Sequence, residues 1–250
     1  MMIAGLEWPL LLVCLLVVFF AALVRGYSGF GFSALSIASL SILIPPAQIV
    51  PVILLVEICA GIGLLPSIWR HIDWRQLRWI GAGAVIATPL GLALLAGLSS
   101  QAMRILISLL ILSAAALIWM GLQLRSGHKA GTIFSAGLVS GLMNGAAGVG
   151  GLPLVVFFLS KAEGAVTARA TLIAFLITLD IYTCTLAAGE GMITWEVVEL
   201  AAAFMVPVSL GTFLGNRHFL RSPPESFRRI ALAMLMLISG GGLMRSLTSL

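Results

Sequence analysis

Apolar residues run along this chain in eight blocks separated by short polar breaks: 8–44, 47–68, 78–96, 103–124, 131–159, 169–188, 195–214 and 228–247. Six have the length of one helical crossing, since about 20 apolar residues span the ~30 Å core of a bilayer. The first and fifth are longer, and glycine interrupts each. Arg25-Gly26-Tyr27-Ser28-Gly29-Phe30-Gly31 divides 8–24 from 33–44, and Asn144-Gly145-Ala146-Ala147-Gly148-Val149-Gly150 divides 131–143 from 152–159. The short arms reach only about 18 and 12 Å as helices. The pattern predicts an all-α integral membrane protein with six full spans and two glycine-broken re-entrant hairpins.

The two breaks align at a constant offset of 119, which places Arg25 on Asn144, Gly26 on Gly145, Gly29 on Gly148 and Gly31 on Gly150. Further along, Ile72-Asp73-Trp74 matches Ile193-Thr194-Trp195, Pro89 matches Pro207, and Glu57-Ile58 matches Asp180-Ile181 with small gaps. The expected organisation is a first repeat over 1–124, a cytoplasmic linker at 125–130, and a second repeat over 131–250. Internal repeats of this size in an apolar chain are a mark of transporters.

Composition agrees with a membrane setting. Charged residues make up 9% of the 250, against roughly 25% in an ordinary soluble domain. A water-exposed surface cannot be covered with so few, so a soluble enzyme and a nucleic-acid binder are both excluded. The excess of 14 basic over 9 acidic residues instead records topology, because Lys and Arg collect in cytoplasmic loops. If each broken block turns back, the loops at 69–78, 125–130, 160–169 and 215–229 share one face. That face then carries eleven basic residues against two on the other, Arg104 and Arg245. If each broken block crosses once, the split becomes nearly even. The uneven count makes the repeats inverted and places both termini on the non-cytoplasmic side. Two full crossings per broken block fit the same count; arm length favours hairpins.

Three ionisable residues remain at membrane depth: Arg25, Glu57 and Asp180. Such groups normally face a cavity or a partner, because an isolated charge there costs several kcal/mol. Arg25 is either a cation neutralising a helix C-terminus or an anion ligand in a central cavity. Ser28, Gly29 and Gly31, with Gly148, Gly150 and Asn144, form a candidate cradle. Broken helices expose free N–H groups at mid-depth, where they attract anions. Glu57 and Asp180 are either neutral and hydrogen-bonded, paired with Arg25, or carriers of protons or gating groups. Thr171 is placed at the cytoplasmic mouth of the sixth block, beside Arg169, which reads as an interface anchor. Cys14, Cys59 and Cys184 show no disulfide or zinc spacing, and His71, His128 and His218 lie at unrelated spacings. No metal, cofactor or catalytic residue is expected.

The tips Gly26-Tyr27-Ser28-Gly29-Phe30-Gly31-Phe32 and Gly145-Ala146-Ala147-Gly148-Val149-Gly150-Gly151, set in two four-block halves, resemble the TauE/SafE family. Arg169-Ala170-Thr171-Leu172 is similar to a segment of one branch of that family. The resemblance covers nearly the whole chain. It implies a multi-pass plasma-membrane transporter (inner membrane in a bacterium) that moves a small sulfur-containing anion, of sulfite or organosulfonate type, out of the cytoplasm. The expected partners are that anion, the lipid bilayer and protons. Uptake of related anions, and a thiol relay through Cys59 and Cys184, are the alternatives.

Overall fold

The computed structural model describes residues 6–28, 31–120, 130–159, 165–219 and 240, almost all of them helical. The helices are α1 (Trp8–Ser28), α2 (Phe32–Leu40), α3 (Pro46–Ile62), α4 (Leu65–Ile68), α5 (Trp74–Gly97), α6 (Ser100–Trp119), α7 (Ala130–Ala147), α8 (Gly151–Leu159), α9 (Ala165–Gly189) and α10 (Trp195–Phe219). Five are long and apolar enough to cross a membrane, and α3 with the bent segment after it makes a sixth candidate. The linker at 125–129 and the block at 228–247, Gly240 excepted, lie outside the described residues.

Local chemistry explains several of these boundaries. Asp73 caps α5 by accepting from the backbone N–H groups of Arg75 and Gln76, both at 3.0 Å. Thr194 does the same for α10, accepting from Val197 at 3.4 Å. A side-chain oxygen before the first turn satisfies donors that the helix leaves free. Helix α5 therefore begins at Trp74 and α10 at Trp195, the two positions that the sequence aligned.

Three features differ from expectation. Helix α1 runs through Arg25 and Gly26 to Ser28, and α7 runs through Asn144 and Gly145 to Ala147. The breaks are thus shorter than the glycine clusters. The reason is packing. Gly215 of α10 lies against Leu23 and Gly26, and Gly91 of α5 against Leu142 and Gly145. Gly26 and Gly145 serve close helix approach there instead of ending the helix. Second, at 21 residues α1 is about 31 Å long, so this arm reaches across a bilayer core by itself. Third, the expected span 47–68 is bent by 57° between Ile62 and Leu65.

Two glycine seams hold the bundle together. A Cβ added at Gly137, Gly141 or Gly145 of α7 would meet the backbone of Ile80, Ala84 or Thr88 on α5 at 2.1–2.4 Å. Gly211 and Gly215 of α10 stand in the same relation to Phe19 and Leu23 of α1, at 2.5 and 2.2 Å. Residue numbers rise together along both seams, so α7 is parallel to α5 and α1 is parallel to α10. Helix α9 starts beside α5, because the Asp73 N–H donates to Thr171 Oγ1 at 3.0 Å and Ile72 packs with Ala170 and Ala174. The short turn at 190–194 then makes α10 antiparallel to α5, and α1 runs opposite to α7. Arg70, Arg75, Arg78, Arg169 and Arg217 gather at one end of the bundle. Arg104 sits at the other end, where its Nε donates to the Ser41 carbonyl. That contact brings the chain after α2 back to the end at which α1 began.

Candidate functional site

Arg25 lies in the last turn of α1 and Glu57 in the second half of α3. Arg25 donates from one terminal guanidinium nitrogen to Glu57 Oε1 at 2.8 Å, with side chains 7% and 6% exposed. The Arg25 guanidinium carbon also stands 5.9 Å from the centre of the Phe32 ring, at the outer limit of a cation–π contact. Each buried charge thereby answers the other, which lowers the cost of placing both away from water.

The other half of the chain contains a parallel arrangement with different chemistry. Asn144, in the last turn of α7, donates from Nδ2 to Asp180 Oδ1 at 3.0 Å and to Thr183 Oγ1 at 3.1 Å. Its Oδ1 accepts the Gly150 N–H at 3.2 Å, and the Ser140 hydroxyl donates to the Gly150 carbonyl. Asp180 and Thr183 are fully buried on α9, and Asp180 Oδ2 has no hydrogen-bond partner among the described residues. In both halves the residue near the end of the long broken-block helix reaches a carboxylate within the next long helix. Helices α3 and α9 also touch directly, since a Cβ at Gly61 would meet the Ile177 side chain at 2.5 Å.

A cavity of about 360 Å³ opens between α1, α3, α9 and α10. Arg25, Cys59, Arg169, Ser209 and Thr212 supply its chemistry. Arg169 is exposed and has no acidic partner among the described residues. Thr212 Oγ1 is buried and likewise without a partner among them. One guanidinium is held at the wall by its carboxylate, a second is uncommitted, and hydroxyls stand nearby. A small oxyanion needs such donors, because guanidinium N–H groups bind planar or tetrahedral oxyanions with charge assistance.

The sequence-derived candidates divide accordingly. Arg25 lines the cavity. Gly31 sits at the start of α2 with φ 90°, and a Cβ there would meet nothing within 4 Å. Gly148, with φ 62°, is packed under Ile37 and Val50, and its N–H donates to the Asn144 carbonyl. Gly150 is tied to Asn144 and Ser140, so the second tip is closed on itself in this structure. Thr171 is fully buried and accepts from Asp73, which makes it a joint between α9 and α5. The Ser28 side chain and Gly29 lie outside the described residues. Sequence reasoning missed Ser209 and Thr212 and took Arg169 for an anchor. The available signal was the i, i+3 spacing of two hydroxyls within the apolar stretch 200–215 of α10.

A bundle of crossing helices, two of the polar contacts buried within it, and a cation-lined cavity define a multi-pass membrane transport protein. The sequence matches the family described as Sulfite exporter TauE/SafE over residues 14–241. It is 32% identical over 220 residues to the "Probable sulfite/organosulfonate exporter TauE" of Cupriavidus necator, a match covering 85% of this chain and 84% of that protein. No solved structure matches. The chain belongs to the TauE/SafE family; it is a transporter of the plasma membrane and not an enzyme.

Proposed function

We propose that this chain exports a small sulfur-containing anion, of sulfite or organosulfonate type, by alternating access between two inverted repeats. The observation that carries the substrate class is the pairing of Arg25 and Arg169 around one cavity, in a chain 32% identical to a named sulfite/organosulfonate exporter. The repeat reading is supported by reciprocal packing. Helix α1 pairs with α10 as α7 pairs with α5, the 25–57 contact mirrors the 144–180 contact, and the paired elements run in opposite directions.

In this mechanism the anion enters from the Arg169 end and competes with Glu57 for the Arg25 guanidinium. Ser28, Gly29 and Gly31 are kept, from the sequence motif alone, as the binding residues of the first tip. Release follows when Asn144, Gly148 and Gly150 loosen their mutual hydrogen bonds and open the second tip. Thr171 contributes through the α5–α9 joint. Asp180, with one oxygen held by Asn144 and the other without a donor among the described residues, carries the proton or gates the exchange. Outward movement is downhill, since an anion leaving an inside-negative cell gains about 2.3 kcal/mol per charge per 100 mV.

A flux screen in proteoliposomes over sulfite, alkylsulfonates and carboxylates at several pH values tests the assignment. Sulfite or sulfonates should move fastest, and Asp180→Asn should flatten the pH profile. Preference for carboxylates would overturn the substrate class, and an unchanged profile would overturn proton coupling through Asp180.

A further inference from the structure

A second cavity, of about 350 Å³, lies between α5 and α9, with Pro89, Ala93, Ala96, Leu186 and Glu190 among its lining residues. Its two walls correspond to two of the four around the first. Each cavity sits between the C-terminal part of a carboxylate-bearing helix, α3 with Glu57 or α9 with Asp180, and that of a proline-containing helix, α10 with Pro207 or α5 with Pro89. Helix α9 ends at the opposite end of the bundle from its Arg169, so the second cavity opens away from the first.

The two differ in depth and in charge. The first reaches Arg25, whereas the second stops short of the corresponding Asn144, which is 1% exposed. The first is lined by two arginines. Glu190, exposed in the turn after α9 beside Gly191 at φ 71°, is the only charged residue lining the second among the described residues. Clefts with low-dielectric walls concentrate the field of such groups and with it the local population of counter-ions.

We infer that the two cavities are opposite-side vestibules of one anion pathway, with Arg169 marking the capture side and Glu190 the release side. This rests on the transporter reading above. The charge difference changes how readily each face loads with anion; it does not alter the final gradient, which the driving forces set.

Cys59 provides a reporter in the first vestibule, because Cys14 and Cys184 are buried. Ala93→Cys in a Cys59→Ala background provides one in the second. Reaction rates are compared, in vesicles carrying the full chain, for anionic and cationic methanethiosulfonate reagents added from each side. The anionic reagent should react faster at Cys59 by roughly tenfold and the cationic one faster at Ala93→Cys. The two sites should respond to reagent on opposite sides. Arg169→Gln should remove the first preference only, Glu190→Gln the second only, and Glu190→Lys should invert the second. The same charge preference at both sites, reaction from one side only, or no response to either Glu190 variant overturns the inference. Sulfite flux measured on the same vesicles separates the two levels. Flux without labelling asymmetry removes the vestibule assignment, and asymmetry without flux of any sulfur anion removes the sulfur-anion assignment.

Discussion

Arg25 is both structural partner and anion ligand in this account, and the two roles can be separated. Removing its charge leaves Glu57 buried without a counter-ion, which costs about 3–5 kcal/mol, whereas replacing both members with apolar residues is often neutral. Arg25→Met should therefore lower the thermal midpoint in detergent strongly, and the double variant Arg25→Met, Glu57→Leu should recover most of it. Transport should be lost in both. A double variant that is stable and transports normally would show the pair to be structural only. The sequence made Arg25, Glu57 and Asp180 conspicuous because charge is scarce at membrane depth. It left open which carboxylate Arg25 meets, since that depends on how α3 and α9 pack against α1. It left Arg169 undistinguished for a similar reason: an arginine at a helix start reads as an anchor until α10 brings Ser209 and Thr212 to the same space.

At the scale of elements, glycine carries more of the fold than the breaks suggest. Gly141 lies on the α5–α7 seam, where an added Cβ would stand 2.4 Å from the Ala84 carbonyl oxygen. Gly81, on α5, has nothing within 4 Å of the same position. Gly141→Ala should destabilise by about 1–3 kcal/mol through overpacking. Gly81→Ala should be neutral or stabilise by about 0.5–1 kcal/mol, because the helix loses glycine's extra backbone freedom. Thermal unfolding of the two variants side by side checks the seam; equal effects would contradict it. The start of α10 at Trp195 agrees with the apolar block at 195–214, whereas α5 begins at Trp74, behind the Asp73 cap and four residues before the block at 78–96, because polar Arg75, Gln76 and Arg78 hid its first turn. The ends of α1 and α7 were misjudged because glycine both ends helices and lets them approach. Only the partner helix tells the two uses apart, as Gly215 does for Gly26 and Gly91 for Gly145. The 57° bend after Ile62 followed a Gly61-Ile62-Gly63 run whose apolar neighbours hid it within a continuous hydrophobic block.

For the whole molecule, the distribution of positive charge and the reciprocal packing bear on the same arrangement from independent directions. Arg70, Arg75, Arg78, Arg169 and Arg217 gather at one end of the bundle, the end toward which the first cavity opens. That is the end the positive-inside rule places in the cytoplasm, where an exported anion is captured. An inverted arrangement of the two halves was expected from charge counting and is part of the function proposed above. The closed state of the second tip was not. It depends on hydrogen bonds among Asn144, Ser140 and Gly150 that no spacing rule specifies. The central claim is that a sulfite-type anion leaves through the cavity at Arg25. Efflux of labelled sulfite from proteoliposomes, compared between the unaltered chain and Arg25→Gln, tests it most directly. The account predicts saturable efflux that accelerates under an inside-negative potential and falls at least about tenfold in Arg25→Gln with the protein still folded. Equal efflux from both proteins, or none above protein-free vesicles from the unaltered chain, would contradict it.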